Sequence, residues 1–372
     1  MRITGGTVRK AIFIWAVLCA VLLTAYAGAW AQTIVLPLID RPGVCLYCHH
    51  VKEAFAAAET SIDLLLMDAR LEENPLWDYL LAAFARGVTI RVLLDESDWA
   101  PSITKRNRPT IEYLRSHGID ARFDDPAVTT HAKLVVVDRR VVILGSTNWN
   151  RHAFTNQEQA NVVVEDAQIG EVFASYFDRL WTETLIPAGV KLDLAPLETE
   201  VQLIIPLPET VGTGNYARLL LKLLGRAQRS VQVVIYRISY YPAFPASLSN
   251  EILRALVDAA ARGLDVRVLI DDCAFFPTSA AANLQAANYL TSRGVEVRFD
   301  DPDETTHAKL IIIDREDTLL GSTNWNYYAL EMNNEVAIAF IGLPDVAAPF
   351  VSFFEMLWEK GGSGSARQQT HP

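Results

Sequence analysis

ARFDDPAVTTHAKLVVVDRRVVILGSTNWN, residues Ala121–Asn150, returns as VRFDDPDETTHAKLIIIDREDTLLGSTNWN at Val297–Asn326. Twenty of the thirty positions are identical, at a constant offset of 176 residues. The same offset pairs Arg86-Gly87 with Arg262-Gly263 and Asp95 with Asp271. A unit of about 150 residues is domain-sized and far longer than a solenoid module. The chain therefore reads as one domain written twice.

Each copy carries the same order of elements. An amphipathic helix near His49–Glu59, or Tyr216–Gln228, leads into an apolar strand at Ile62–Met67 or Val231–Tyr236. A second helix, Leu76–Arg86 or Glu251–Arg262, stops at Arg-Gly. Strand Thr89–Leu94 or Asp265–Ile270 follows, then a further helix and the short strand Arg122-Phe123 or Arg298-Phe299. The His-containing segment opens strand Lys133–Val137 or Lys309–Ile313. After it come Val141–Leu144 or Thr318–Leu320, then Asn161–Val164 or Val336–Phe340, and a closing helix at Gly170–Thr182 or Val346–Trp358. Near-continuous Val/Ile/Leu strands alternating with helices predict a duplicated α/β/α sandwich whose strands are buried on both faces. The expected domains are 45–186 and 209–360, joined by a Pro-containing linker at 187–208. A Gly/Ser/Gln tail at 361–372 reads as disordered.

Of 372 residues 51% are hydrophobic and 21% charged, as in a well-buried globular protein. Residues 1–31 hold Arg2, Arg9 and Lys10, then an uncharged apolar run ending Ala29-Trp30-Ala31. This pattern reads as a secretory signal peptide, with an uncleaved membrane anchor as the competing reading. Both put the body outside the cytosol. Without that segment the body carries 30 basic and 44 acidic residues, a formal charge of −14. Such a balance counts against broad binding to nucleic acid or to anionic bilayers, and leaves room for a small cationic site. Cys45, Cys48 and Cys273 remain beside Cys19 of the first segment. One disulfide and one free thiol is an open combination. Cys45-Leu46-Tyr47-Cys48-His49 also matches a haem-attachment pattern, against the plainer reading of a helix start with small apolar cysteines.

The unit His131-Ala132-Lys133, Asp138, Gly145-Ser146, Asn148 recurs as His307-Ala308-Lys309, Asp314, Gly321-Ser322, Asn324. In an extended chain residues i and i+2 share a face, so His and Lys project together while the Ala turns to the packed side. Asn148 and Asn324 return to the same edge at the end of the next strand. One set offers a base or nucleophile, a cation and an amide. Two sets offer groups on both sides of a phosphorus and donors around its equatorial oxygens. These polar residues keep their spacing while apolar neighbours drift, Val135-Val136-Val137 against Ile311-Ile312-Ile313.

This doubled His-x-Lys-x4-Asp-x6-Gly-Ser-x-x-Asn pattern resembles the phospholipase D superfamily, whose members include cardiolipin synthases and endonucleases. The resemblance covers about Cys45 to Lys360. It implies a pseudo-twofold pair of domains within a monomer, one active site at their interface, a covalent phosphohistidine intermediate, and no metal or other cofactor. It makes His131 the nucleophile and His307 the general acid/base, with Lys133, Lys309, Asn148 and Asn324 as phosphate clamp. The family places a Glu one strand beyond the Asn to accept from the His. Glu335 stands 28 residues after His307 and Glu158 27 after His131, with Gln159 at the strictly repeated position. Asp138 and Asp314 read as turn-capping or site-supporting acceptors. Ser146 and Ser322 read equally as site donors or as small residues needed for packing.

The substrate signal is thinner. Tyr236–Pro245 and Cys273–Pro277 form aromatic loops after strands of the second half, and Trp149 and Trp325 follow the site Asn residues. These side chains suit acyl chains, stacked bases or plain core packing. Export and an acidic body favour a phospholipid at a membrane surface, with water or an alcohol as acceptor. Hydrolysis and phosphatidyl transfer share one intermediate. Nucleic acid is the alternative substrate, and a haem-bearing scaffold the non-enzymatic one.

Overall fold

The computed structural model describes residues 33–182, 191–273 and 276–362. Residues 1–32, with the expected signal segment and Cys19, residues 183–190 at the end of the expected first domain and the start of the expected linker, residues 274–275 and residues 363–372 of the expected tail lie outside the described residues. The central strands β2 (Ser61–Leu66), β3 (Thr89–Leu94) and β4 (Asp120–Phe123) run parallel. They are joined antiparallel to β5 (Lys133–Val137), β6 (Val141–Gly145), β7 (Gln157–Glu165) and β1 (Ile34–Asp40). The second half repeats this mixed sheet. β9 (Ser230–Ile235), β10 (Asp265–Ile270) and β11 (Glu296–Phe299) are its parallel part. β13 (Lys309–Ile313), β14 (Asp317–Gly321), β15 (Glu335–Ile341) and β8 (Leu203–Glu209) complete it.

Side chains alternate across these strands, and the two parities go to different cores. Leu64, Leu66, Val135 and Val137 pack outward under helices α1 (Leu46–Ala57), α2 (Leu76–Ala85) and α3 (Pro101–Ser116). Val231, Val233, Ile311 and Ile313 do the same under α6 (Asn215–Arg226), α7 (Leu248–Ala261) and α8 (Pro277–Thr291). The other parity, Leu65, Leu134 and Val136 with Val234, Leu310 and Ile312, enters one core shared by both halves. Helices α5 (Ala167–Trp181) and α9 (Pro344–Lys360) fill that shared layer with Phe173, Phe177, Phe350 and Phe354. The duplication thus buries its own interface, and Ala132 and Ala308 lie in that shared core.

Two expected boundaries move. The first domain begins at β1, before Cys45. The stretch 187–208 is not linker to its end, because Leu203–Glu209 is edge strand β8. Both edge strands carry prolines, Pro37 and Pro206 with Pro208, which an edge tolerates and which disguise the strand in sequence. Each ends in an acid that caps the next helix: Asp40 accepts from the Tyr47 amide at 3.1 Å and Glu209 from the Tyr216 amide at 2.7 Å. Those tyrosines then accept from Trp149 Nε1 and Trp325 Nε1, so both tryptophans are buried anchors rather than a substrate mouth. Cys45 and Cys48 form a disulfide at the start of α1, so that pair does not offer the two thiols a haem attachment uses; Cys273 is a buried thiol. Among the described residues no helix is long and apolar enough to cross a membrane.

Gly145 and Gly321 close the hairpin strand against its neighbour. A Cβ at Gly321 would stand 2.3 Å from the Val336 carbonyl oxygen, and one at Gly145 2.4 Å from that of Ala160. We expect Gly321→Ala to lower stability by about 1–3 kcal/mol. Gly225→Ala, inside α6 with open space around it, should raise it by about 0.5–1 kcal/mol. Chemical denaturation of the two variants checks both signs.

Candidate active site

The segments before β5 and β13 meet across the seam between the halves. The His131 amide donates to the Asn334 carbonyl, and the His307 amide donates to the Glu158 carbonyl, both at 2.9 Å. The short strand β12 (Thr305–Thr306) pairs parallel with β7, and Thr130 bridges Asn334 in the matching place. Each catalytic strand is also braced from within its half. Asp95 accepts from the Thr130 amide and Asp271 from the Thr306 amide, each at 2.7 Å. That is the role of the repeated Asp95/Asp271 pair, for which the sequence motif offered none.

The rings differ in their partners. His131 Nδ1 lies 2.9 Å from Glu335 Oε2, a carboxylate of the other half. His307 Nδ1 lies 2.9 Å from the Ser146 carbonyl and 3.3 Å from Gln159 Oε1, again across the seam. The resemblance pointed to Glu335 and, as the first-half member, to Glu158. The structure corrects the second. The orienting groups cross between halves, and Gln159 takes the equivalent of Glu335. Glu158 has no hydrogen bond to its carboxylate and lies 3.7 Å from Lys360. Strand alternation is the reason: neighbouring residues of β7 face opposite sides, so a one-residue slip removes the carboxylate from the site.

Ser146 donates to Gln159 Oε1 at 2.6 Å and Ser322 to Glu335 Oε2 at 2.5 Å. They therefore fix the groups that orient the rings. Asp138 lies at the far end of β5, where it accepts from the amides of Glu59, Thr60 and Ser61; Asp314 accepts likewise from Gln228, Arg229 and Ser230. Both are turn caps, at positive φ, remote from the histidines. Lys133 and Lys309 are fully buried, and each donates to the carbonyl of its own motif His. The Oδ1 atoms of Asn148 and Asn324 are buried without a hydrogen-bond partner.

Burial in this pocket works against every cation. It pushes His131 down from its usual range, with Lys133 and Lys309 adding to the fall and Glu335 opposing it. His307 falls much further, by burial and then by the fields of Lys309, Lys133 and His131. Lys133 is lowered to about 8 and Lys309 well below a normal ammonium, burial leading in both. Burial would raise Glu335, but His131, Lys133 and the Ser322 hydroxyl outweigh it and hold the carboxyl low. The pocket holds two buried lysines, two rings and one carboxylate, a set that an anion would complement. One residue beyond the motif joins it, with Arg237 next to it in the chain. The Tyr236 ring lies 4.7 Å from the His307 ring and 4.8 Å from Lys309 Nζ. Arg237 follows, with its Nε unpartnered.

A family model described as "Cardiolipin synthase, PLD-like domain" matches residues 51–181 and again 220–358. The mouse protein named mitochondrial cardiolipin hydrolase is 32% identical over 130 residues, 35% of this chain and 56% of that one. The chain thus spans about half the length of such relatives. Cardiolipin synthase B of Shigella flexneri is 25% identical over 283 residues, 70% of this chain and 65% of its own. The fold is shared with phosphatidylserine synthase of Haemophilus influenzae Rd KW20, at a TM-score of 0.66 and 13% identity, covering 92% of this chain and 91% of that one.

Two outcomes follow from the electrostatics. Because Glu335 raises the His131 pKa, Glu335→Gln should lower it further, whereas Glu158→Gln should leave it in place; ¹⁵N titration of the rings reads both. Lys133 is cationic below about pH 8. Sulfate binding measured by calorimetry should therefore weaken about tenfold between pH 7 and pH 9.

Proposed function

The chain belongs to the phospholipase D superfamily of phosphodiester-acting enzymes, and from that premise we propose that it hydrolyses phospholipids, or transfers their phosphatidyl group, through a phosphohistidine intermediate. The observation that carries this reading is the crossed arrangement of the two rings, one held by a carboxylate and one by neutral oxygens, over two buried lysines. Relatives named for cardiolipin hydrolysis and synthesis support the lipid class. Export, read from residues 1–31, belongs to the same proposal and would bring the enzyme to a membrane surface.

The division of labour follows from charge. With Nδ1–H held by Glu335, His131 offers a neutral Nε2 to phosphorus. Attack puts positive charge on that ring, and Glu335 is placed to balance it. His307 sits in the field of both lysines, so its protonated form gives up the proton readily. The anionic diester, entering between Lys133 and Lys309, favours the uptake of that proton beforehand. His307 protonates the leaving alkoxide as the P–O bond breaks, leaving phosphoryl on His131 and a neutral His307. It then takes a proton from water or an alcohol as that oxygen bonds to phosphorus and the P–N bond to His131 breaks, giving hydrolysis or transfer. Lys133, Lys309, Asn148 and Asn324 hold the nonbridging oxygens throughout.

Incubation in EDTA with phosphatidylcholine, ethanol and labelled single-stranded DNA tests the reading. Phosphatidylethanol is the expected product, and cleaved DNA beside untouched lipid would overturn the lipid assignment. His131→Ala and His307→Ala should each lower turnover by about 10⁴-fold or more, because one site uses both rings. Substantial activity in either would refute the shared site.

A further inference from the structure

At equivalent places the halves present different surfaces beside the seam. In the first half Arg70, Glu72, Glu73, Arg151 and His152 line a cavity of about 440 Å³, and Arg151 pairs with Glu73 at 2.5 Å. In the second half Tyr327 and Tyr328 occupy the places of Arg151 and His152 at the repeat offset. The turn after β9, longer than its counterpart after β2, adds Tyr241 and Phe244. Phe244 is exposed by 69% and Tyr328 by 67%, Tyr327 is exposed as well, and Tyr241 is half-buried. They form one patch. The Tyr327 amide donates to Tyr241 Oη at 3.1 Å, the Tyr327 and Tyr328 rings lie 5.4 Å apart, and the Phe244 amide donates to the Tyr241 carbonyl at 3.0 Å. Trp99 and Phe276, beside the matching starts of α3 and α8, add one exposed ring to each half.

The patch is tied to the catalytic floor. Trp325 donates to the Arg237 carbonyl and accepts from the Ser239 amide, so the aromatic turn and the Asn324 loop move as one. The matching bond in the first half runs from Trp149 to the carbonyl of Asp68, which makes Arg237 the counterpart of Asp68. Asp68 is held by Arg70, Arg106 and Asn150, whereas Arg237 Nε has no partner. The cationic bias of the mouth therefore leans toward the aromatic side.

We propose that Phe244, Tyr327 and Tyr328, with Tyr241, seat the protein on an uncharged, zwitterionic phospholipid surface, so that the acyl chains meet the protein at the second-half rim of the site. The proposal rests on the phospholipid reading above. Amphipathic rings settle at the boundary between headgroups and acyl chains. A formal charge of −11 repels anionic bilayers and polyanions, while Lys133, Lys309 and Arg237 behind the rim meet the single phosphate of each lipid.

The test uses the full chain with an environment-sensitive fluorophore on Phe244→Cys, and on Glu59→Cys at the opposite end of the sheet as control. Phosphatidylcholine vesicles should shift the Phe244→Cys emission to the blue and leave that of Glu59→Cys in place. In parallel, the double variant Phe244→Ser/Tyr328→Ser should turn over vesicle lipid about tenfold more slowly. Its melting temperature and its hydrolysis of soluble bis(4-nitrophenyl) phosphate should hold within about twofold of the parent rate. No shift at Phe244→Cys, an equal shift at Glu59→Cys, or unchanged vesicle turnover in the double variant would each overturn the proposal. A blue shift without any phospholipid turnover would instead sink the phospholipid reading and leave the docking surface standing. A shift produced by single-stranded DNA and not by vesicles would make the rim a base-stacking platform and overturn it.

Discussion

Two backbone hydrogen bonds exchanged between the halves, His131 to Asn334 and His307 to Glu158, are the constraint on which the site depends. Each fixes the chain two residues before the start of a strand that opens on a buried lysine. Each also draws the orienting strand of the opposite half alongside the ring. Neither half has a complete site by itself, because the group that holds each Nδ1 arrives from the other side of the seam. The shared core of both sheets, α5 and α9 holds that seam shut.

A site of this kind works against folding. Two lysines and two histidines lie in a pocket from which water is largely removed, with one carboxylate among them, and a buried cation without an ionic partner is destabilising. The fold bears this because three hydrophobic cores surround the pocket. In the function proposed above, an anionic diester would supply the negative charge that this pocket lacks.

Duplication supplies a symmetric frame, and the reaction needs unlike partners. The frame is broken at few positions. Glu335 faces Gln159, Tyr236 faces Met67 and Arg237 faces Asp68 across the pseudo-twofold relation, and Tyr327-Tyr328 face Arg151-His152. The first of these contrasts gives the two rings different partners. The others tilt the mouth, giving it an acidic and basic side and an aromatic one.

Much of this was legible in one dimension. The repeat gave the duplication, the Val/Ile/Leu runs gave the central strands nearly residue by residue, and i, i+2 alternation placed His and Lys together with Ala on the packed side. Those readings need only local geometry. The edge strands β1 and β8 escaped because their prolines resemble linker, and edge status is a property of the sheet rather than of the segment. The aromatic residues divided likewise: Trp149 and Trp325 went to the core, Phe244 and Tyr328 to the surface, and composition does not distinguish the two. The sequence by itself determined that the His, Lys and Asn residues come in two sets at one spacing. Only the tertiary structure decided which group holds which ring. That choice depends on contacts between residues 204 positions apart for His131 and Glu335, and on strand parity that sends Glu158 to one face of β7 and Gln159 to the other.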